Sequence, residues 1–145
     1  MIVIDSSAVI KIIITEDNSN LARLAFSKIT EQGEPMIAPN IIFSEVMNGL
    51  WKHNVLLKDI NSRKLDLARS SFVSIYNSLE ISSQTELAEE AIKLATSHKI
   101  TFYDSLYVAL SIKMRSPLFT FDNPLKGKAK GVGFEVLALS NSIGN

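Results

Sequence analysis

The sequence predicts an α/β fold in which a parallel β-sheet is flanked by α-helices. Short runs of β-type residues alternate with longer segments of helical periodicity, the pattern of a sheet covered by crossover helices. No internal repeat, low-complexity tract or linker interrupts the 145 residues. That length is usual for one domain, so residues 1–145 are read as a single domain.

The first strand is expected at residues 1–5, rich in Ile and Val, with the hydroxyls of Ser6 and Ser7 capping a short apolar helix. Residues 18–32 read as a helix that Gly33 stops, and a short strand follows at 36–38. Pro39 and Asn40 lead into a helix that runs to His53, with Ile42, Val46, Gly49 and Leu50 facing inward. Residues 59–77 form the next helix, with Asp59 as its cap, followed by a brief strand at 79–81. An amphipathic helix spans 84–98, where Leu87, Ala91, Leu94 and Ala95 share a face. The helix at 103–114 places Leu106, Ala109 and Leu110 at core spacing. Strands at 117–121 and 134–137 complete the sheet, the former punctuated by Asp122, Asn123 and Pro124.

Composition narrows the chemistry. The chain has no cysteine, which removes disulfides, thiolate zinc sites and thiol nucleophiles together. No apolar run approaches the ~20 residues of a membrane span, and nothing reads as a signal peptide, so a cytoplasmic protein is expected. Fifteen basic and fifteen acidic residues give zero formal charge, which argues against holding nucleic acid by bulk charge. A local basic stretch remains at 113–130, where Asp122 is the only acid. His53 and His98 are expected at the surface, at helix ends. Trp51, Tyr103 and Tyr107 are expected in core or dimer contacts.

Four acids stand apart. Asp5 and Asp122 follow strands, and an open parallel sheet binds ligands outside the carboxyl ends of its strands. Glu45 and Asp104 lie in helices otherwise crowded with apolar residues, where a carboxylate faces outward or is buried with a partner. Each acid also has a structural explanation. Asp5 and Asp122 can be helix N-caps, and Glu45 and Asp104 can be first-turn acids that favour the helix dipole. Taken together in a chain with two histidines, four carboxylates suit magnesium or manganese rather than zinc. Magnesium with a substrate phosphate implies phosphoryl-transfer chemistry.

Four segments carry a resemblance. "IVIDSSAVI" holds Asp5 and Ser7; "APNIIFSEVMNGLWK" holds Glu45, Asn48 and Lys52; "TFYDSLYVALS" holds Asp104; "PLFTFDNPLKGKAKG" holds Thr120 and Asp122. In this order and spacing they resemble the motifs of PIN-domain ribonucleases, most closely the toxins of VapBC-type toxin–antitoxin pairs, along nearly the whole chain. The resemblance implies a PIN-like three-layer fold with the four acids at one edge of the sheet. It implies a magnesium-dependent endoribonuclease, with Asp5, Asp104 and Asp122 as main metal ligands and Glu45 completing the site or orienting water. It also implies frequent homodimers and a cognate antitoxin. Ser7, Asn48 and Thr120 are candidates to orient the carboxylates. Lys52, Lys126, Lys128 and Lys130 are candidates to position the RNA backbone.

Two other readings compete. A magnesium-dependent phosphatase with an aspartyl nucleophile would use Asp5, but the second aspartate usual two residues on is replaced by Ser7. A non-catalytic PIN-like module would bind RNA or a partner without cutting, although such relatives normally lose one or more of the acids.

Overall fold

The computed structural model describes residues 1–140. The last five residues of the expected single domain lie outside the described part. Strands β1 (Ile2–Ile4), β2 (Met36–Pro39), β3 (Glu80–Ser82) and β4 (Leu118–Phe119) pair in parallel, in the order β3-β2-β1-β4. Residues 2–4 and 36–38 are buried on both faces of the sheet. Such strands read as unbroken apolar runs, because neither face meets water.

Helices supply every crossover. α1 (Ser6–Ile13) and α2 (Ser19–Glu31) join β1 to β2, α3 (Ile41–Trp51) and α4 (Ser62–Ser78) join β2 to β3, and α5 (Gln84–His98) and α6 (Phe102–Met114) join β3 to β4. α7 (Asn123–Val132) follows β4. The chain steps outward from β1 to β3 and then returns to the far side of β1. A crevice therefore opens at the carboxyl ends of β1 and β4, the switch point where parallel sheets hold ligands.

The most buried element is α6, which lies against β1, β2 and β4 and packs on α5. Its residues 105–111 are all buried, so it is apolar around its whole circumference. The two serines in that run keep their hydroxyls bonded, Ser105 to the Thr101 carbonyl and Ser111 to the Ser116 carbonyl. On α3, Ile42, Val46 and Leu50 face inward as expected. Gly49 is the point of close approach to α1, since a Cβ there would stand 2.7 Å from the Ile10 Cδ1 atom. Gly33 ends α2 with a φ of 65°, a left-handed conformation that glycine adopts without strain.

Several expected boundaries shift for local reasons. Ser6 and Ser7 lie inside α1, and its N-cap is Asp5, whose Oδ1 accepts from the Ala8 N–H at 3.1 Å. The helix expected from 59 starts at Ser62, because Asn61 and not Asp59 takes the capping bond, from the Lys64 N–H at 2.9 Å. The helix expected to reach His53 changes at Trp51 into a π-helical turn, Lys52–Leu56. That wider turn carries His53 inward, so it is buried rather than at the surface. Its Nδ1 meets Asp59 at 2.9 Å and its Nε2 meets Glu16 at 3.4 Å. His98 is partly exposed at the end of α5. Tyr107 is in the core, whereas Trp51 and Tyr103 are exposed on this chain. β4 covers only two of the five residues expected, and the strand expected at 134–137 contracts to a single bridge between Leu118 and Val136.

The cap assignment has a measurable consequence. Asn61→Ala is expected to lower stability by about 1 kcal/mol in urea unfolding, the usual loss for a vacated N-cap. Asp59→Ala should leave α4 capped.

Candidate active site

Asp5 closes β1 and caps α1, so its carboxylate is fixed from two directions. It is 4% exposed, and it accepts from the Ser7 hydroxyl at 2.6 Å, the Ala8 N–H and the Thr120 hydroxyl. Ser7 in turn accepts from the Phe121 N–H at 2.8 Å, and Thr120 accepts from the Asp122 N–H at 3.1 Å. This network ties the end of β1 to the segment after β4. Within it the Ser7 and Thr120 hydroxyls both donate to the Asp5 carboxylate.

Asp122 follows that segment as the N-cap of α7, its Oδ1 accepting from the Leu125 N–H at 2.8 Å. Asp104 lies in the first turn of α6, whose cap is the Thr101 hydroxyl, accepting from the Asp104 N–H at 3.1 Å. Glu45 lies in the second turn of α3, too far along for a dipole role in the first turn. Its Oε1 accepts from the Tyr107 hydroxyl at 2.5 Å. The capping explanations therefore hold for Asp5 and Asp122, and they coexist with a site, because a capping carboxylate keeps free lone pairs.

The four acids press on one another electrostatically. Burial, with a smaller push from the charge of Asp122, raises Asp5 from 3.8 to about 6 against the lowering bonds from Ser7, Thr120 and Ala8. Asp104 is raised by burial and by Asp122, and Glu45 by burial and by Asp104. Burial and the Glu45 charge drive the Tyr107 hydroxyl far above its ordinary range, which keeps it a protonated donor. Among the described residues no lysine or arginine forms an ion pair with any of the four acids.

A divalent cation fits this donor set, since hard carboxylate oxygens suit magnesium or manganese and the like charges lack another counter-ion. As the side chains stand, no group of three or more His, Cys, Asp or Glu among the described residues is placed to hold an ion directly. Magnesium keeps several waters and is commonly held through one or two carboxylates, so it requires no such cage.

Other expected residues distribute unevenly. Glu45, Asn48 and Lys52 line one cleft with Ser6, Ser7, Lys11, Glu16 and His53. Asn48 is exposed there and, among the described residues, bonds no carboxylate. The Lys126 ammonium lies 5.1 Å from the Phe121 ring centroid, just after the Thr120–Asp122 network. Lys128 donates to the His98 carbonyl at 2.9 Å and so serves the end of α5, while Lys130 is exposed. Sequence reasoning missed the contacts of Glu45 with Tyr107 and Ser6. The available signal was the spacing of Tyr107 three residues after Asp104, which puts both on one helix face.

Residues 2–131 match the PIN domain family. The chain belongs to the PIN-domain family. It is 32% identical to Ribonuclease VapC3 of Pyrobaculum aerophilum over 130 residues, which cover 88% of this chain and 93% of that protein. Among solved structures, VapC20 of Mycobacterium tuberculosis, a sarcin-ricin-loop-cleaving toxin, superposes with a TM-score of 0.70 at 15% identity, covering 94% of this chain and 98% of that one. A toxin–antitoxin complex from Klebsiella pneumoniae matches with a TM-score of 0.67 at 16% identity, covering 94% and 97%. The expected VapC-like resemblance and the PIN-like three-layer fold are borne out. No helix among the described residues is long and apolar enough to cross a membrane.

The electrostatics of Asp5 predict a pH dependence without metal. A carboxyl that titrates at about 6 folded and at 3.8 as a free side chain binds more protons in the folded state between those values. Its contribution to stability is therefore lost as pH rises from about 4 through about 6, amounting to at most about 3 kcal/mol. In thermal melts with chelator, Asp5→Asn should flatten this slope and melt above the wild type at pH 7.5, since asparagine also caps well. An unchanged slope would exclude Asp5 as its source.

Proposed function

We propose that this PIN domain is a magnesium-dependent endoribonuclease and the toxin of a type II toxin–antitoxin pair, with manganese able to replace magnesium. One observation carries the reading. Asp5, Glu45, Asp104 and Asp122 form a chain of mutually repelling carboxylates at the crevice of a parallel sheet, with no described lysine or arginine to neutralise them. The name of the Pyrobaculum relative supports RNA as the substrate. The sarcin-ricin-loop toxin and the Klebsiella complex support the toxin role and an antitoxin partner.

In this reading Asp5, Asp104 and Asp122 would hold the ion, and Glu45 would complete the site or orient the attacking water. When bound, the ion neutralises charge at the phosphate and lowers the pKa of the water it holds. Ser7 and Thr120 keep the Asp5 carboxylate in one orientation. The water oxygen bonds to phosphorus, the P–O3′ bond breaks, one proton of the water ends on the departing O3′, and the product keeps a 5′-phosphate. In this reading Lys52 and Lys126 meet the RNA backbone, with Lys130 farther along the exposed side of α7. Lys128 is committed to α5.

Residues 1–145 act in this reading as one domain in the cytoplasm. Phe43 and Trp51 on α3 and Leu67 and Val73 on α4 are exposed, and they offer apolar surface to a second copy or to an antitoxin segment.

Asp104→Asn and Asp5→Asn are each expected to lower magnesium-dependent cleavage of RNA by about 100-fold or more while the far-UV circular dichroism stays native. Wild-type rates in both variants would remove the acidic-site reading.

A further inference from the structure

The buried phenol of Tyr107 is the one neutral hydroxyl that reaches the acid cluster from the middle of α6. Tyr107 is 2% exposed, so its ring is locked in the core and its hydroxyl has little freedom. That hydroxyl donates to Glu45 Oε1 at 2.5 Å across the gap between α6 and α3. The Ser6 hydroxyl, next to Asp5 at the start of α1, is near enough to act on both Glu45 and Tyr107. The start of α1, next to Asp5, therefore comes together here with α3 and α6, which carry Glu45 and Asp104. On α6 the interval from Asp104 to Tyr107 is three residues, so both side chains leave the helix on one face.

The geometry points to Tyr107 as a positioning residue for the nuclease reaction: its hydroxyl, aided by Ser6, fixes the Glu45 carboxylate by one oxygen and turns the other toward the acid cluster. The inference rests on the reading of the four acids as a metal site. Glu45 sits on a helix surface with several side-chain torsions, and without a fixed partner its carboxylate has no single direction. A donor rooted in the core supplies that direction at little entropic cost, because the tyrosine ring is ordered by packing already. A phenylalanine at this position would fill the same core volume and leave Glu45 free to rotate.

The test uses the full chain and manganese chloride alone as probe. Manganese affinity is read by electron paramagnetic resonance, and RNA cleavage is followed separately for kcat and KM. Tyr107→Phe should weaken manganese binding or lower kcat by about 10–100-fold, with KM changed less than about two-fold. In a Glu45→Gln background the same substitution should add almost nothing, since its effect runs through that carboxylate. A purely structural role would instead give the same loss in both backgrounds. Parental affinity and kcat in a folded Tyr107→Phe protein would overturn the inference, as would equal losses in both backgrounds. Should Tyr107→Phe fail to fold, Ser6→Ala disturbs the same contact from outside the core, and parental affinity and kcat there would overturn it. A wild-type protein that neither binds manganese nor cuts RNA would refute the acidic-site reading and this inference with it, whereas a competent wild type beside an unaffected variant refutes the inference alone.

Discussion

The buried carboxylate of Asp5 is the constraint on which the site is organised. It ends β1, starts α1 and accepts the Thr120 hydroxyl that arrives from the far edge of β4. Three backbone directions are set by one side chain. Its partners Ser7 and Thr120 carry the order outward, because they accept the amides of Phe121 and Asp122. The crevice between β1 and β4 is thus more than a topological gap. It is lined by hydroxyls whose donors and acceptors are already used.

This arrangement sets folding against chemistry. Packing alone would favour neutral groups at the heart of the sheet's edge, yet burial and mutual repulsion raise the proton affinity of Asp5, Asp104 and Glu45 there. The cost is carried by the apolar bed beneath: residues 2–4 of β1, the wholly buried run 105–111 of α6, and Phe72 with Ile42 and Val46 between α3 and α4. Such a division, in which a rigid apolar core supports a strained polar rim, is a common way for a domain to keep charges close without a built-in counter-ion.

Much of this was legible in the sequence. The alternation of β-type and helical segments gave the layers, and isolated acids after apolar strands marked the sheet edge correctly. Asp5 and Asp122 were readable both as caps and as site residues, and they are caps in the structure. Less legible were features that depend on distant partners. His53 looked like a helix-end surface residue, because nothing local announces a π-helical turn or the approach of Glu16 and Asp59 to both ring nitrogens. Tyr107 reads as ordinary core, since its spacing from Asp104 gives a shared helix face but not a partner 62 residues away. Motif and proximity in sequence name Asn48 and Lys128 as candidates, but Asn48 is exposed in the cleft beside Glu45 and Lys128 bonds the His98 carbonyl at the end of α5. The strand expected at 134–137 had the right composition, but only one of its residues finds a partner on β4.

The sheet order also imposes a schedule. β1 is the second strand from one edge in space but the first to leave the ribosome, and the strand that completes its far side is the last to be made. A nascent chain ending after α6 already contains Asp5, Glu45 and Asp104, yet it lacks both Thr120 and Asp122. Its crevice has one wall. Late closure of the sheet therefore leaves the Asp5 carboxylate without its Thr120 partner until the last strand has been made.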